Sequence, residues 1–92
     1  MPQPKFSSEY KYKGVNEDLI RIEGNVVYVD APEKAYYTLE TVNAIGEPLV
    51  RIFNGTLNDG VHSISIENKT FKQGSYLVLR KGAEILSWKL FK

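Results

Sequence analysis

His62 is the only histidine of this 92-residue chain, which contains no cysteine. An imidazole can act as a general base or bind a metal ion, yet either role needs a second functional group beside it. Ser63 and Ser65 are the nearest nucleophiles, and in an extended strand both point to the face opposite His62. The pattern therefore favours a structural histidine that is hydrogen-bonded at the edge of a sheet. Without cysteine, a disulfide framework and a thiolate zinc site are excluded.

The eleven acidic residues are the other candidates for catalysis. Glycoside hydrolysis needs two carboxylates across a cleft, and those of this chain fall near turns or at solvent-facing positions of short strands. Asn16-Glu17-Asp18 and Asn58-Asp59 offer the oxygen ligands that calcium prefers, but these residues are also ordinary turn formers, and we favour the turn interpretation. We predict that the chain is not an enzyme and that it holds no metal or cofactor.

The aromatic residues indicate an alternative function, which is carbohydrate binding. A planar ring can cover one face of a pyranose while polar neighbours bind its hydroxyl groups. Trp88 alternates with Leu86 and Leu90, which favours a position in the core or in a seam, whereas Tyr36 has the parity of an exposed residue next to Tyr37. Trp88 and Tyr36 are therefore the candidate sugar-stacking residues of a carbohydrate-binding module whose partner would be a polysaccharide.

Composition and charge narrow the class of protein. The 42% hydrophobic content is that of a globular domain, and the net charge of +1 argues against nucleic acid as a partner. No apolar run approaches the length of a transmembrane segment. We expect residues 1–9 to be an interdomain linker with Phe6 as its only anchor, and residues 10–92 to be one module of a larger protein.

Short runs of β-branched and aromatic residues alternate with glycine turns along the whole module, and no window has a helical period. Gly24-Asn25 predicts a two-residue hairpin, and Asn54-Gly55 predicts a break after the strand that begins at Pro48. The pattern predicts an all-β fold, an antiparallel β-sandwich of about seven strands. The predicted strands are residues 10–13, 19–23, 26–29, 36–42, 49–53, 61–67, 76–80 and 84–91.

Alternation within the strands predicts which residues face the core. We expect the inward set to be Tyr37, Leu39, Thr41, Ile64, Ile66, Tyr76 and Val78, and the outward or rim set to be Thr38, Glu40, Ser63, Ser65 and Arg80. Leu77 and Leu79 break the alternation and would leave an outer face apolar. That face is either covered by a loop or the N-terminal segment, which we favour, or is a contact surface for another domain or subunit.

Four motifs follow one another at fixed spacing in the C-terminal half. They are Asn43-Ala44-Ile45-Gly46, Gly60-Val61-His62-Ser63-Ile64-Ser65-Ile66, Gly74-Ser75-Tyr76-Leu77-Val78 and Lys89-Leu90-Phe91-Lys92. Their order resembles the C-terminal sorting domain of the Bacteroidetes type IX secretion system and the related Ig-like tails of Fibrobacter secreted enzymes. The likeness covers residues 35–92, although the Asn-Pro that often opens the family domain is missing.

The resemblance implies an Ig-like fold and a role without catalysis. It implies a C-terminal secretion, sorting or attachment signal that outer-membrane secretion machinery recognises, on a larger parent such as a polysaccharide-degrading enzyme or protease. The protein would then be secreted through the periplasm or held at the cell surface. The recognised residues would be Lys89, Leu90, Phe91 and Lys92. The structural positions of the motif would be Gly46, Gly60, His62, Gly74 and Tyr76, with Gly82 at the last turn.

Overall fold

A computed structural model describes residues 3–67 and 71–91, and in these ranges the chain forms eight strands and no helix. The strands are β1 (Lys11–Tyr12), β2 (Ile20–Glu23), β3 (Val26–Ala31), β4 (Ala35–Val42), β5 (Pro48–Leu57), β6 (Gly60–Ser65), β7 (Tyr76–Lys81) and β8 (Glu84–Leu90). The all-β class is confirmed. The described part contains no helix of the length and hydropathy needed to cross a bilayer.

The strands form two sheets that pack as a β-sandwich. The five-stranded sheet has the order β1-β8-β7-β4-β5, and the three-stranded sheet has the order β2-β3-β6. All neighbouring strands are antiparallel except β1, which runs parallel to β8. The predicted Gly24-Asn25 hairpin is confirmed, since Glu23 pairs with Val26 across it.

The core between the sheets is made of alternate residues from both of them. Its buried members are Ile20, Val27, Val29, Ala31, Tyr37, Leu39, Ile66, Leu77, Leu79 and Leu86. The inward orientation predicted for Tyr37, Leu39 and Ile66 is confirmed. The prediction for β7 is wrong, because Leu77 and Leu79 face this core and lie opposite Thr41 and Leu39 of β4.

A second apolar cluster covers the outer face of the five-stranded sheet. Its buried members are Val42, Tyr76, Val78 and Ile85, against which Phe6, Tyr10, Tyr12, Trp88 and Leu90 pack. Residues 3–12, called the strap below, supply three of the covering rings. Pro4 of the strap is fully buried and the Lys5 amide donates to the Ala44 carbonyl at 2.9 Å, so Phe6 is not the only anchor. The outer face is therefore covered by the N-terminal segment, as favoured, but Tyr76 and Val78 lie on it rather than Leu77 and Leu79.

Thr38 and Glu40 also lie on this outer face, but the prediction that they meet water or lie at a rim is wrong. They are only 5% and 3% exposed. Arg80 donates to the Glu40 carboxylate over 3.3–3.4 Å, and its guanidinium lies 4.3 Å from the centre of the Tyr10 ring. The strap thus encloses an ion pair that alternation alone would place in solvent.

Six glycines have a positive φ, and Gly46, Gly60, Gly74 and Gly82 are among them at strand reversals, as predicted. The break predicted at Asn54-Gly55 is wrong. β5 runs through this dipeptide and is ten residues long, from Pro48 to Leu57, since Asn54 pairs with Thr38 and Gly55 with Tyr37.

Candidate partner-binding site

Three of the predicted recognition residues, Lys89, Leu90 and Phe91, belong to the folded domain. Phe91 packs on Phe71 with ring centres 5.0 Å apart, and its amide donates to the Ser75 carbonyl at 2.8 Å. Leu90 is half-buried in the outer cluster. Lys89 is exposed, and its Nζ lies 3.5 Å from the Ile20 carbonyl of the other sheet. Lys92 lies outside the described residues.

The outer edge of β8 is covered by side chains as well as by β1. The Asn16 amide donates to the Trp88 carbonyl at 3.0 Å, and its Oδ1 accepts from the Trp88 amide at 2.9 Å, so one side chain imitates a paired strand. The Ser87 hydroxyl donates to the Glu17 carbonyl, and the Glu17 amide donates to Leu86 at 3.2 Å. A partner strand could not pair with this part of β8 without displacing the loop.

Replacing Asn16 with alanine should lower the free energy of unfolding by about 1 kcal/mol, because both Trp88 backbone groups lose their partner at a water-accessible edge. Urea unfolding followed by Trp88 fluorescence would measure this change. Asn16→Asp is the matched variant, since it keeps the acceptor for the Trp88 amide but sets a carboxylate oxygen against the Trp88 carbonyl, so it should also lose stability. Equal stability of the alanine variant and the parent would show that water replaces the side chain without cost.

A groove of about 360 Å³ lies beside Lys89, between β2 of one sheet and β8 of the other. Its charged lining consists of Asp18, Arg21, Asp30 and Lys89. Arg21 lies over the Tyr28 ring, 4.6 Å from its centre, on the outer face of the three-stranded sheet. The groove could not be found from the sequence, because residues from β2, β3 and β8 meet only in the folded sandwich.

The two candidate sugar-stacking residues are separate. Trp88 packs edge-on against Tyr76 and donates from Nε1 to the Tyr12 hydroxyl at 3.0 Å. Tyr36 is 53% exposed, and its hydroxyl accepts from the Asn54 amide at 2.8 Å. In the register of the sheet, Trp88 of β8 is aligned with Glu40 of β4. Glu40 in turn lies four residues from Tyr36 along β4. That register separates the two rings by about 13 Å along the strands and about 10 Å across them, too far for one sugar ring.

His62 lies on the edge strand β6, where its Nε2 is 2.7 Å from the Asn58 carbonyl. The side chain is half-buried, and Val29 of β3 lies opposite it. This hydrogen bond closes the turn between β5 and β6. In residues 3–67 and 71–91, no three acidic or histidine side chains converge at a common point.

Two ion pairs at the β7–β8 hairpin shift the pKa values of Glu84 and Lys81. The Lys13 ammonium, 3.0 Å away, holds the pKa of Glu84 below its usual value. The hydrogen bond from Lys81 to Glu33 raises the pKa of Lys81. The contribution of Glu84 to stability is therefore present at neutral pH and is lost as the pH falls through its lowered pKa. Both shifts come from surface partners rather than from burial, which is typical of structural ion pairs.

Comparisons with models of known protein families, with curated proteins and with solved structures give no significant match.

Proposed function

We propose that this chain is a noncatalytic Ig-like β-sandwich module of a secreted bacterial protein and acts as a sorting or cell-surface attachment signal. The observation that carries the proposal is the exposed Lys89, which projects beside a charged groove while the residues around it are held in the sandwich. A partner would then recognise the folded module through this groove. The partner we propose is outer-membrane secretion machinery, and the parent is a polysaccharide-degrading enzyme or a protease.

The glycines of the motif serve the fold rather than the recognition. Gly46 and Gly74 both have a φ of 88°, which L-residues rarely adopt, and both lie at reversals between strands. Recognition must then come from exposed side chains near the turns, and Lys89 is the exposed one among residues 89–91, the described part of the last motif. Leu90 and Phe91 contribute by packing that fixes its position.

A secretion assay tests this function directly. The chain is fused behind a periplasmic reporter in a host with a type IX secretion system, and the reporter should reach the cell surface or medium. Lys89→Glu should reduce export at least tenfold, whereas Lys72→Glu, at another exposed lysine, should not. Melting curves of both variants control for folding. A reporter that stays in the periplasm with the parent sequence would exclude the sorting role.

A second candidate, carbohydrate binding, rests on Tyr36. Its ring is exposed on the outer face of β4, and the neighbouring Asn54 and Thr56 offer an amide and a hydroxyl group beside it. The chain should then be retained by insoluble cellulose or xylan, and Tyr36→Ala should release it. Tyr28→Ala, on the other sheet, is the matched control. Absence of binding to any polysaccharide at millimolar concentration would exclude this candidate.

A further inference from the structure

The two sides of the sandwich are closed to different degrees. On one side, β1 and Asn16 cover the edge of β8. On the other side, β5 ends the five-stranded sheet and β6 ends the three-stranded sheet, and no strand of the described residues pairs with their outer edges. Backbone amides and carbonyls at such an edge are a template for another strand.

The first half of β5 is protected against strand pairing, and the second half is not. Pro48 begins the strand, and two bulges interrupt its pairing with β4 between Pro48 and Phe53. Proline and bulges are devices that discourage pairing at an edge. From Phe53 to Leu57 the register is regular and the sequence has no charged residue, no proline and no bulge.

We propose that this segment, Phe53–Leu57, binds a second copy of the chain by antiparallel pairing about a two-fold axis at Gly55. Residues on opposite sides of the axis then meet as Phe53 with Leu57 of the other copy, Asn54 with Thr56, and Gly55 with itself. The segment is self-complementary, since apolar residues meet apolar ones on the core face and polar residues meet polar ones on the outer face. The sequence of this segment of β5 is complementary to itself, and it has no such built-in complementarity to the strand of a different protein.

The side chains on each face are arranged for this pairing. Phe53 and Leu57 are half-buried and pack at the margin of their own core, so pairing would complete their burial. The Phe53 ring lies over Gly55, 3.2 Å from the position of a Cβ atom, so the absence of a side chain at the axis leaves room for this ring. The two five-stranded sheets would join into one continuous sheet.

The contact is small, and the dimer is correspondingly weak. Five residues span about 17 Å of strand, which gives an interface below the size of stable complexes. The dimer therefore forms reversibly and at high concentration. This proposal goes beyond the sorting function and does not depend on it, because it is measured on the isolated chain.

Sedimentation equilibrium of the chain over a concentration series up to about 1 mM tests the proposal. The mass should rise from monomer towards dimer. Two double variants separate this interface from others. Asn54→Lys with Thr56→Lys places like charges opposite each other twice and should keep the chain monomeric, whereas Asn54→Lys with Thr56→Glu places opposite charges there and should preserve or strengthen the dimer.

Hydrogen exchange provides an independent readout, since the amides of residues 53–57 that point away from β4 should gain protection with concentration while those of β2 should not. Thermal unfolding of both double variants controls for folding. A chain that stays monomeric at about 1 mM, or a dimer that responds equally to the two double variants, would overturn the proposal.

Discussion

Replacing Glu40 with alanine should lower the free energy of unfolding by about 3 kcal/mol, because it leaves the Arg80 guanidinium without its counter-ion. The side chains of Glu40 and Arg80 are only 4% and 11% exposed, on the outer face that the strap covers. Arg80 keeps its 2.8 Å hydrogen bond to the Gly82 carbonyl and its contact with the Tyr10 ring. These remaining partners set the loss at the lower end of the range for a broken buried pair.

Urea unfolding of three variants separates burial from pairing. Glu40→Leu combined with Arg80→Met should restore most of the stability, since a packed apolar pair often replaces a buried ion pair at little cost. Glu33→Ala removes an exposed partner of Lys81 and should cost less than about 1 kcal/mol. A loss for Glu40→Ala as small as that for Glu33→Ala would show that the strap does not exclude water from the pair.

Replacing Gly46 with alanine should be at least as damaging, through two additive causes. With a φ of 88°, the backbone is left-handed, which costs an L-residue about 1–2 kcal/mol. In addition, the new Cβ would lie 2.2 Å from the Lys5 carbonyl oxygen of the strap. Neither the new Cβ nor the Lys5 carbonyl oxygen can rotate away, because each is attached directly to the backbone. The strap must therefore move, and the hydrogen bond from Lys5 to Ala44 should break. We expect a total loss of about 3 kcal/mol.

Gly74→Ala is the matched control for this substitution. Gly74 has the same φ of 88°, but nothing lies within 4 Å of its Cβ position, so this variant measures the strain without the clash. Urea unfolding should give a larger loss for Gly46→Ala than for Gly74→Ala. Limited proteolysis should also cleave the strap only in Gly46→Ala. Equal losses and equal cleavage would show that the strap does not hold its position through this contact.

The turns of this fold could be predicted from the local sequence, except that one predicted turn does not exist. The left-handed conformation at Gly46, Gly60 and Gly74 is a property of a single residue, so the residue type is sufficient evidence for it. Asn54-Gly55 has the same local signal, yet β5 runs through it. Pairing of Gly55 with Tyr37 and packing of the Phe53 ring over the glycine outweigh the turn preference there.

The orientation of β7 could not be predicted, because both of its faces are buried. Tyr76, Leu77, Val78 and Leu79 are each 5% exposed or less, so their sequence contains no alternation from which to choose a face. Only the pairing register of β7 with β4 decides which of these residues face the core. The candidate groove beside Lys89 was hidden for a related reason, since Asp18 and Asp30 reach it from separate segments.

The amino-acid sequence by itself determined that the chain forms short strands between glycine turns, since strand alternation and positive φ depend on near neighbours. The tertiary structure alone decided that residues 3–12 cover a sheet face, that Glu40 is buried with Arg80, and that Asn16 closes the edge of β8 at Trp88. Each of these depends on residues about 40 or more positions apart in the sequence, and such contacts form only when burial of apolar surface brings the segments together.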